Sequence, residues 1–222
     1  MAHLPRRFLT RHSAGVELAR VVQRLTLHPP LLVLGLPRGG VPVAYEVARA
    51  LRAPLDVVVV RKIAMPNQPE LAIGAIATGG ILVRQPDDAT TLVDDVTFEQ
   101  LARHERIELE RRERAYRAGL PPLDLTNATI ILVDDGIATG CTMIAAVRAA
   151  RKAGAARVVV ATPVASDEAA ALVAGEADDC IILQIPIHLS AIAEWYHEFE
   201  QVEDREVCNL LTRASNHTPL RA

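Results

Sequence analysis

Residues 131–143 read ILVDDGIATGCTM, and the apolar run that opens them starts at Thr129 and ends at Val133. A short, unbroken apolar run of this kind is expected of a strand buried on both faces. Two adjacent carboxylates follow, Asp134 and Asp135. Then come Gly136, Ile137, Ala138, Thr139, Gly140, Cys141 and Thr142, and a helix-like stretch over 143–153. The order is strand, acid pair, small-residue loop, helix. Such a loop aims successive backbone N–H groups at one point, and the helix behind it adds the positive end of its dipole. That is a cradle for phosphate. Carboxylates repel phosphate, so the two acids at the rim face something else, either hydroxyl groups or a metal. No Gly-Lys-Ser/Thr follows, so the loop is not of the Walker type.

The same unit recurs upstream. Residues 31–36 form a continuous apolar run, Pro37-Arg38-Gly39-Gly40 makes a glycine-rich turn, and 41–51 has helical character. Gly39 and Gly40 permit a backbone closed to other residues. The helix start offers N–H groups to an anion, and Arg38 adds a cation. The next apolar run, 55–60, ends in Arg61 and Lys62, two cations at the carboxyl end of an expected parallel strand, where open α/β sheets bind ligands. Downstream, apolar strands are expected over 157–161 and 181–185, with a short helix over 168–174 between them. This alternation predicts an α/β fold, a Rossmann-like parallel sheet with helices on both faces.

The acid pair with its Thr-Gly-x-Thr loop resembles the phosphoribosyl-pyrophosphate (PRPP) signature of type I phosphoribosyltransferases. The resemblance is strongest over 133–142, good over 37–40 and general elsewhere. It implies that Asp134 and Asp135 hold the ribose hydroxyls, directly or through Mg²⁺, and are the catalytic acids. It implies that Gly136, Ile137, Ala138, Thr139, Gly140, Cys141 and Thr142 hold the 5-phosphate. Arg38, Gly39, Gly40, Arg61 and Lys62 would face pyrophosphate. The implied reaction moves the 5-phosphoribosyl group from PRPP to a nitrogen acceptor such as a nucleobase, through an oxocarbenium-like state, with release of pyrophosphate. The protein's part is mainly positioning and charge stabilisation. One departure bears on the acceptor. Where 6-oxopurine members carry an Asp that handles the base proton, this chain has Ala138. A methyl group is neither acid nor base, which weakens hypoxanthine or guanine as acceptor and favours orotate- or adenine-like or unassigned ones. Cys141 has no nearby His in sequence to activate it as a nucleophile.

Residues 71–77 and Ile81–Arg84 read as a hairpin with Gly79 and Gly80 at its turn. A charged, exposed helix is expected over 97–117, and its Arg111, Arg112 and Arg114 are candidates for a lid cation. An opening helix is expected over 14–27, and two readings stand for Arg11 just ahead of it: a solvated side chain, which is favoured, or one that reaches the active site or an oligomer partner. Trp195, Tyr196 and Phe199 cluster in a tail otherwise poor in aromatics. Two readings stand for them: stacking a flat acceptor, or pinning the tail to the core. The chain thus reads as one domain over 1–222, with a core over about 28–185, a hairpin and lid insertion over about 64–120, and a small C-terminal hood over about 186–222.

Bulk properties agree with a core of aliphatic side chains: half of the 222 residues are hydrophobic, yet aromatics are 3%. A net charge of -3 does not suit general nucleic-acid binding. Cys141, Cys180 and Cys208 are odd in number and widely spaced, which fits neither a disulfide framework nor a zinc site and suits a reducing cytoplasm. No apolar run approaches the ~18 residues of a membrane span. The expected partners are PRPP and a small-molecule acceptor, in a homodimer. The competing reading is a non-catalytic regulator that binds PRPP or a nucleotide on the same fold.

Overall fold

The structure, a computed structural model, describes residues 7–66, 68–84, 93–118 and 123–218. Helix α1 (Arg11–Val22) leads to β1 (Leu31–Gly35), α2 (Gly40–Leu51) and β2 (Leu55–Val57). Strands β3 (Val60–Met65), β4 (Gln68–Ala77) and β5 (Ile81–Arg84) follow, then α3 (Asp95–Arg117). The chain continues through β6 (Thr129–Val133), α4 (Cys141–Lys152), β7 (Arg157–Val164), α5 (Asp167–Ala174), β8 (Asp179–Gln184) and α6 (Asp204–Ser215).

The opening apolar run is β6, the middle strand of a five-stranded sheet ordered β2-β1-β6-β7-β8, and every pairing in it is parallel. Successive residues of β6 face opposite sides. Ile130 and Leu132 enter one core with Met143, Val147 and Val173 from α4 and α5. Ile131 and Val133 enter the other with Leu18, Val22 and Val47 from α1 and α2. The strand is apolar throughout because both faces are covered, so α/β with helices on both faces is the observed fold.

The connectivity fixes where a ligand can sit. From β1 the chain moves outward to β2, and it returns at β6 on the other side of β1. Neighbouring strands whose connections diverge leave a crevice at their carboxyl ends. Here that crevice lies between the ends of β1 and β6, where Leu36 N–H still reaches Val133 O at 2.9 Å.

Several expectations are revised. The run over 55–60 is not one strand. β2 stops at Val57, and Val60 begins β3 of a separate antiparallel sheet, β3-β4-β5. Thr78 makes the corner: its Oγ1 accepts from Val59 N–H at 2.8 Å, and its own N–H reaches Val59 O at 2.9 Å. The turn over Thr78–Gly80 uses Gly79 at φ 77 and Gly80 at φ 71. Helix α3 is not a solvated rod, since Phe98, Ala102, Leu109 and Tyr116 are buried. Helix α1 starts at Arg11, not at 14, because Thr10 and Ser13 form a reciprocal capping box. The tail is a short 3₁₀ turn over Ile192–Trp195 followed by α6, which packs Val207, Leu211 and Ala214 inward. Among the described residues no helix is long and apolar enough to cross a membrane.

Candidate active site

Two helix starts, those of α2 and α4, follow the strands that flank the crevice. Their N-caps are Gly39 and Gly140, neither of which supplies a side-chain cap. By contrast α1, α3 and α5 are capped by the side chains of Thr10, Asp94 and Ser166. The first-turn N–H groups of a helix have no intrahelical partner. At α4 no capping side chain takes them, which leaves them to serve an anion. At α2 they are already engaged: Gly40 N–H donates to Leu36 O at 3.0 Å, Val41 N–H donates to Arg38 O at 3.2 Å, and Pro42 has no N–H, so this loop offers an anion chiefly the Arg38 side chain.

The cradle loop is held from below. Ile137 is buried, its N–H donates to Val164 O at 2.9 Å, and its carbonyl accepts from Ser166 N–H at 3.0 Å. Ser166 Oγ donates to Ala138 O at 2.7 Å. Ile137 therefore anchors the loop by its side chain and by both backbone groups, and unlike the phosphate ligand expected of it, it has no N–H left for an anion. Ala138 and Thr139 are exposed at the rim. Gly140 sits in the left-handed region at φ 81, and α4 starts behind it with Cys141 and Thr142. Gly136 is fixed by the tail, for a Cβ there would lie 2.5 Å from Ile192.

The acid pair lies between the two loops. Asp134 Oδ1 accepts from Asp135 N–H at 2.8 Å. Burial pushes the Asp134 carboxyl well above the ordinary carboxylate range, and the Asp135 charge adds to the rise. Asp135 Oδ2 is 2.6 Å from Arg11 Nε, with side chains only 14% and 12% exposed. A Cβ on Gly39 would overlap Asp135 Oδ2, and one on Gly40 would lie 2.6 Å from Val133 O. The loop over 37–40, in which the Pro37–Arg38 peptide is cis, therefore packs directly on the acids. Arg38 stands beside it, 3.9 Å from Asp204 of α6. The same Asp204 oxygen accepts from Tyr116 Oη at 2.7 Å, and burial with this bond pushes the phenol up to about 12.

The structure brings together Asp134, Asp135, the loop over 136–142, Arg38, Gly39 and Gly40. Arg61 and Lys62 do not join them as a pair. They lie on β3 of the small sheet, and as successive strand residues they face opposite ways. Arg61 is bound by Glu105 of α3 at 2.8–2.9 Å. Lys62 lines a small cleft with Cys141, Thr142 and Arg148, on the cradle side. Trp195 and Tyr196 do not offer rings to an acceptor, being 8% and 3% exposed and packed with Phe8, Ala14 and Val164. Tyr196 works through its hydroxyl, which donates to Asp135 O at 2.6 Å. Of the two readings for Arg11, the disfavoured one holds: it is not solvated but bonded to Asp135. Its reach across 124 residues of sequence gives no local signal.

The donor set also bears on Mg²⁺. Among the described residues, no three His, Cys, Asp or Glu side chains gather as a ligand set. Asp134 and Asp135 each have an oxygen engaged by a protein donor. Such a pair suits Mg²⁺ held chiefly by substrate oxygens with one or two carboxylate contacts, rather than a resident ion.

A central strand ending in an acid pair, an uncapped helix start behind it and a glycine loop seated on the acids define a phosphoribosyltransferase-type α/β domain. The chain belongs to the phosphoribosyl transferase family, whose domain model matches residues 17–199. A protein of Mycobacterium tuberculosis H37Rv, Rv0571c, provisionally named a phosphoribosyl transferase, is 45% identical over 208 residues, 93% of this chain and 47% of its own. A second M. tuberculosis relative, MT0597 of strain CDC 1551, matches to the same extent and carries the same provisional name. The chain spans about half the length of the curated relatives it matches. The crystal structure of TT1426 from Thermus thermophilus is similar at 41% identity and a TM-score of 0.85, covering 93% of this chain and 98% of that one.

Proposed function

We propose that this domain transfers the 5-phosphoribosyl group of PRPP to a nitrogen acceptor, a nucleobase first among them, and releases pyrophosphate. One observation carries the reading: the loop over 37–40 packs on Asp134 and Asp135, so the uncapped start of α4 and the Arg38-bearing loop meet across one acid pair. PRPP has that layout, a ribose diol with a phosphate at one end and a diphosphate at the other.

In this reading the N–H groups of 138–142 and the Thr139 and Thr142 hydroxyls hold the 5-phosphate. Asp134 and Asp135 orient the ribose hydroxyls, and the Asp135 carboxylate favours positive charge on the ring as the C1–O bond breaks. Arg38 and the glycine loop that carries it receive the leaving diphosphate. Mg²⁺, when bound, neutralises diphosphate oxygens. Ala138 supplies no proton acceptor at the rim, so the acceptor nitrogen attacks with its own lone pair and loses its proton to water or another base. The proposed working unit is a homodimer, tested by sizing together with activity against concentration.

The direct test is pyrophosphate release from PRPP and Mg²⁺ with a panel of nucleobases and amines. Release dependent on one acceptor is the expected result. Tight PRPP binding with no turnover across the panel would move the domain to the regulator reading, and absence of PRPP binding would remove both.

A further inference from the structure

We infer that Arg11 is a positioning residue for the acid pair, fixing Asp135 against the loop over 37–40 and tying it to the segment after β8. The inference rests on the phosphoribosyl reading above. Three contacts converge on one guanidinium. Arg11 Nε donates to Asp135 Oδ2 at 2.6 Å, and Nη1 donates to Glu200 O at 2.7 Å. Its flat face lies 3.7 Å from the centroid of Phe199. Only an arginine can fork to two acceptors and stack at once.

The contacts close a ring. Phe199 packs on Tyr196 with centroids 5.0 Å apart, and Tyr196 Oη holds the Asp135 carbonyl at 2.6 Å. Asp135 is thus gripped by its side chain through Arg11 and by its main chain through Tyr196. The same carboxylate fills the space above Gly39, which no Cβ can share. Its orientation therefore sets the gap between the phosphate cradle and the diphosphate loop. An exposed pair would count for little. This one is largely desolvated and joins residues 124 positions apart in sequence, so it acts as a strut.

The Thr10 capping box explains how Arg11 is aimed. It fixes the first turn of α1, and Arg11 is the first residue of that turn. The neighbouring bridge between Phe8 and Tyr196 holds the approach to α1 against the tail.

The test is calorimetric titration of the full chain with PRPP and Mg²⁺, for wild type, Arg11→Ala, Arg11→Lys and Phe199→Leu, with thermal melts alongside. Losing a charge-assisted bond to a positioned carboxylate should weaken PRPP binding about 10- to 100-fold in Arg11→Ala. Arg11→Lys, which keeps the charge without the fork, should fall between wild type and Arg11→Ala. Phe199→Leu removes only the stacking surface and should weaken binding about 2- to 5-fold, which keeps the question answerable if Arg11→Ala does not fold. Wild-type protein that fails to bind PRPP would sink the phosphoribosyl reading itself. Wild type that binds, with Arg11→Ala binding as well or better, would overturn the strut. A lysine variant that matches wild type would reduce Arg11 to a point charge and also overturn it.

Discussion

Gly40→Ala sets two known effects against each other at the centre of the site. Gly40 is the first residue of α2, and alanine is favoured over glycine in a helix by ~1 kcal/mol. Yet a Cβ at this position would lie 2.6 Å from Val133 O, 2.9 Å from Asp134 Cα and 3.0 Å from Asp134 Oδ1. Two of those atoms are backbone of the central strand and its acid pair, so no flexible side chain can move aside. Val133 O also accepts from Leu36 N–H at 2.9 Å, and displacing it strains that bond. Overpacking costs ~1–3 kcal/mol and a weakened backbone bond ~1 kcal/mol. Set against the helix gain, the net is a loss of about 1–3 kcal/mol. For a chain of this size, each kcal/mol shifts the melting temperature by roughly 2–4 °C. Urea denaturation and a thermal melt measure the loss, and titration with PRPP should show weakened binding because the atoms pushed are those of Asp134. Gly79→Ala is the internal control. Nothing lies within 4 Å of its Cβ, but φ is +77, so its penalty of ~1–2 kcal/mol comes from backbone conformation alone, and PRPP binding should be unaffected. A Gly40→Ala protein as stable as wild type, with unchanged PRPP binding, would refute the claim that the loop is packed hard on the acids.

Asp134→Asn should raise stability at neutral pH while abolishing PRPP binding. The folded state holds the Asp134 proton more tightly than the unfolded chain, so wild-type stability falls as pH rises from about 4 through the raised value, and the gap between the two proteins in pH-dependent melts should close toward pH 4. Asp56 is fully buried and takes three hydrogen bonds of 2.9–3.1 Å from Arg117, so Asp56→Ala should cost about 3–5 kcal/mol in urea denaturation. Tyr196→Phe keeps the buried ring and loses only the bond to Asp135 O; expect about 1 kcal/mol less stability and a few-fold weaker PRPP binding by calorimetry.

The strand–loop–helix units around the acid pair were readable because their physics is local. An apolar run buried on both faces, glycines where backbones approach, and a helix start behind a loop all leave their mark within about ten residues of sequence. The acid pair, Gly39, Gly40 and Gly140 all stand where that reasoning put them. The rest depends on contacts between distant segments. Arg61 and Lys62 read as the end of a parallel strand, but Thr78, on the far side of β4, turns the chain out of the sheet before it reaches them. The two readings of Trp195 and Tyr196 differ only in what covers the rings, and the cover is Phe8 and Val164 from elsewhere in the chain. Helix α3 looked solvated because charges dominate its composition, although Phe98, Ala102, Leu109 and Tyr116 form a buried stripe.

The burial of those aromatics changes what the tail is for. A hood that selects an acceptor needs an exposed ring face. Here Phe8, Tyr196 and Trp195 are packed away, and Phe199 lies under the Arg11 guanidinium. Together they form a rigid block behind the acid pair. The electrostatics explain the need for it. Two carboxylates side by side, one of them desolvated, repel each other and relax apart unless held. Asp134 responds by favouring its protonated form, and Asp135 responds by taking a guanidinium. Each response lowers the negative charge at the crevice between the ends of β1 and β6. On the proposed reading, a site for a sugar diol flanked by two anionic groups is easier to assemble when its own anions are partly neutralised by the fold. The tail contributes that partial neutralisation, through Tyr196, Glu200 and Phe199, by holding Arg11 and Asp135 in place.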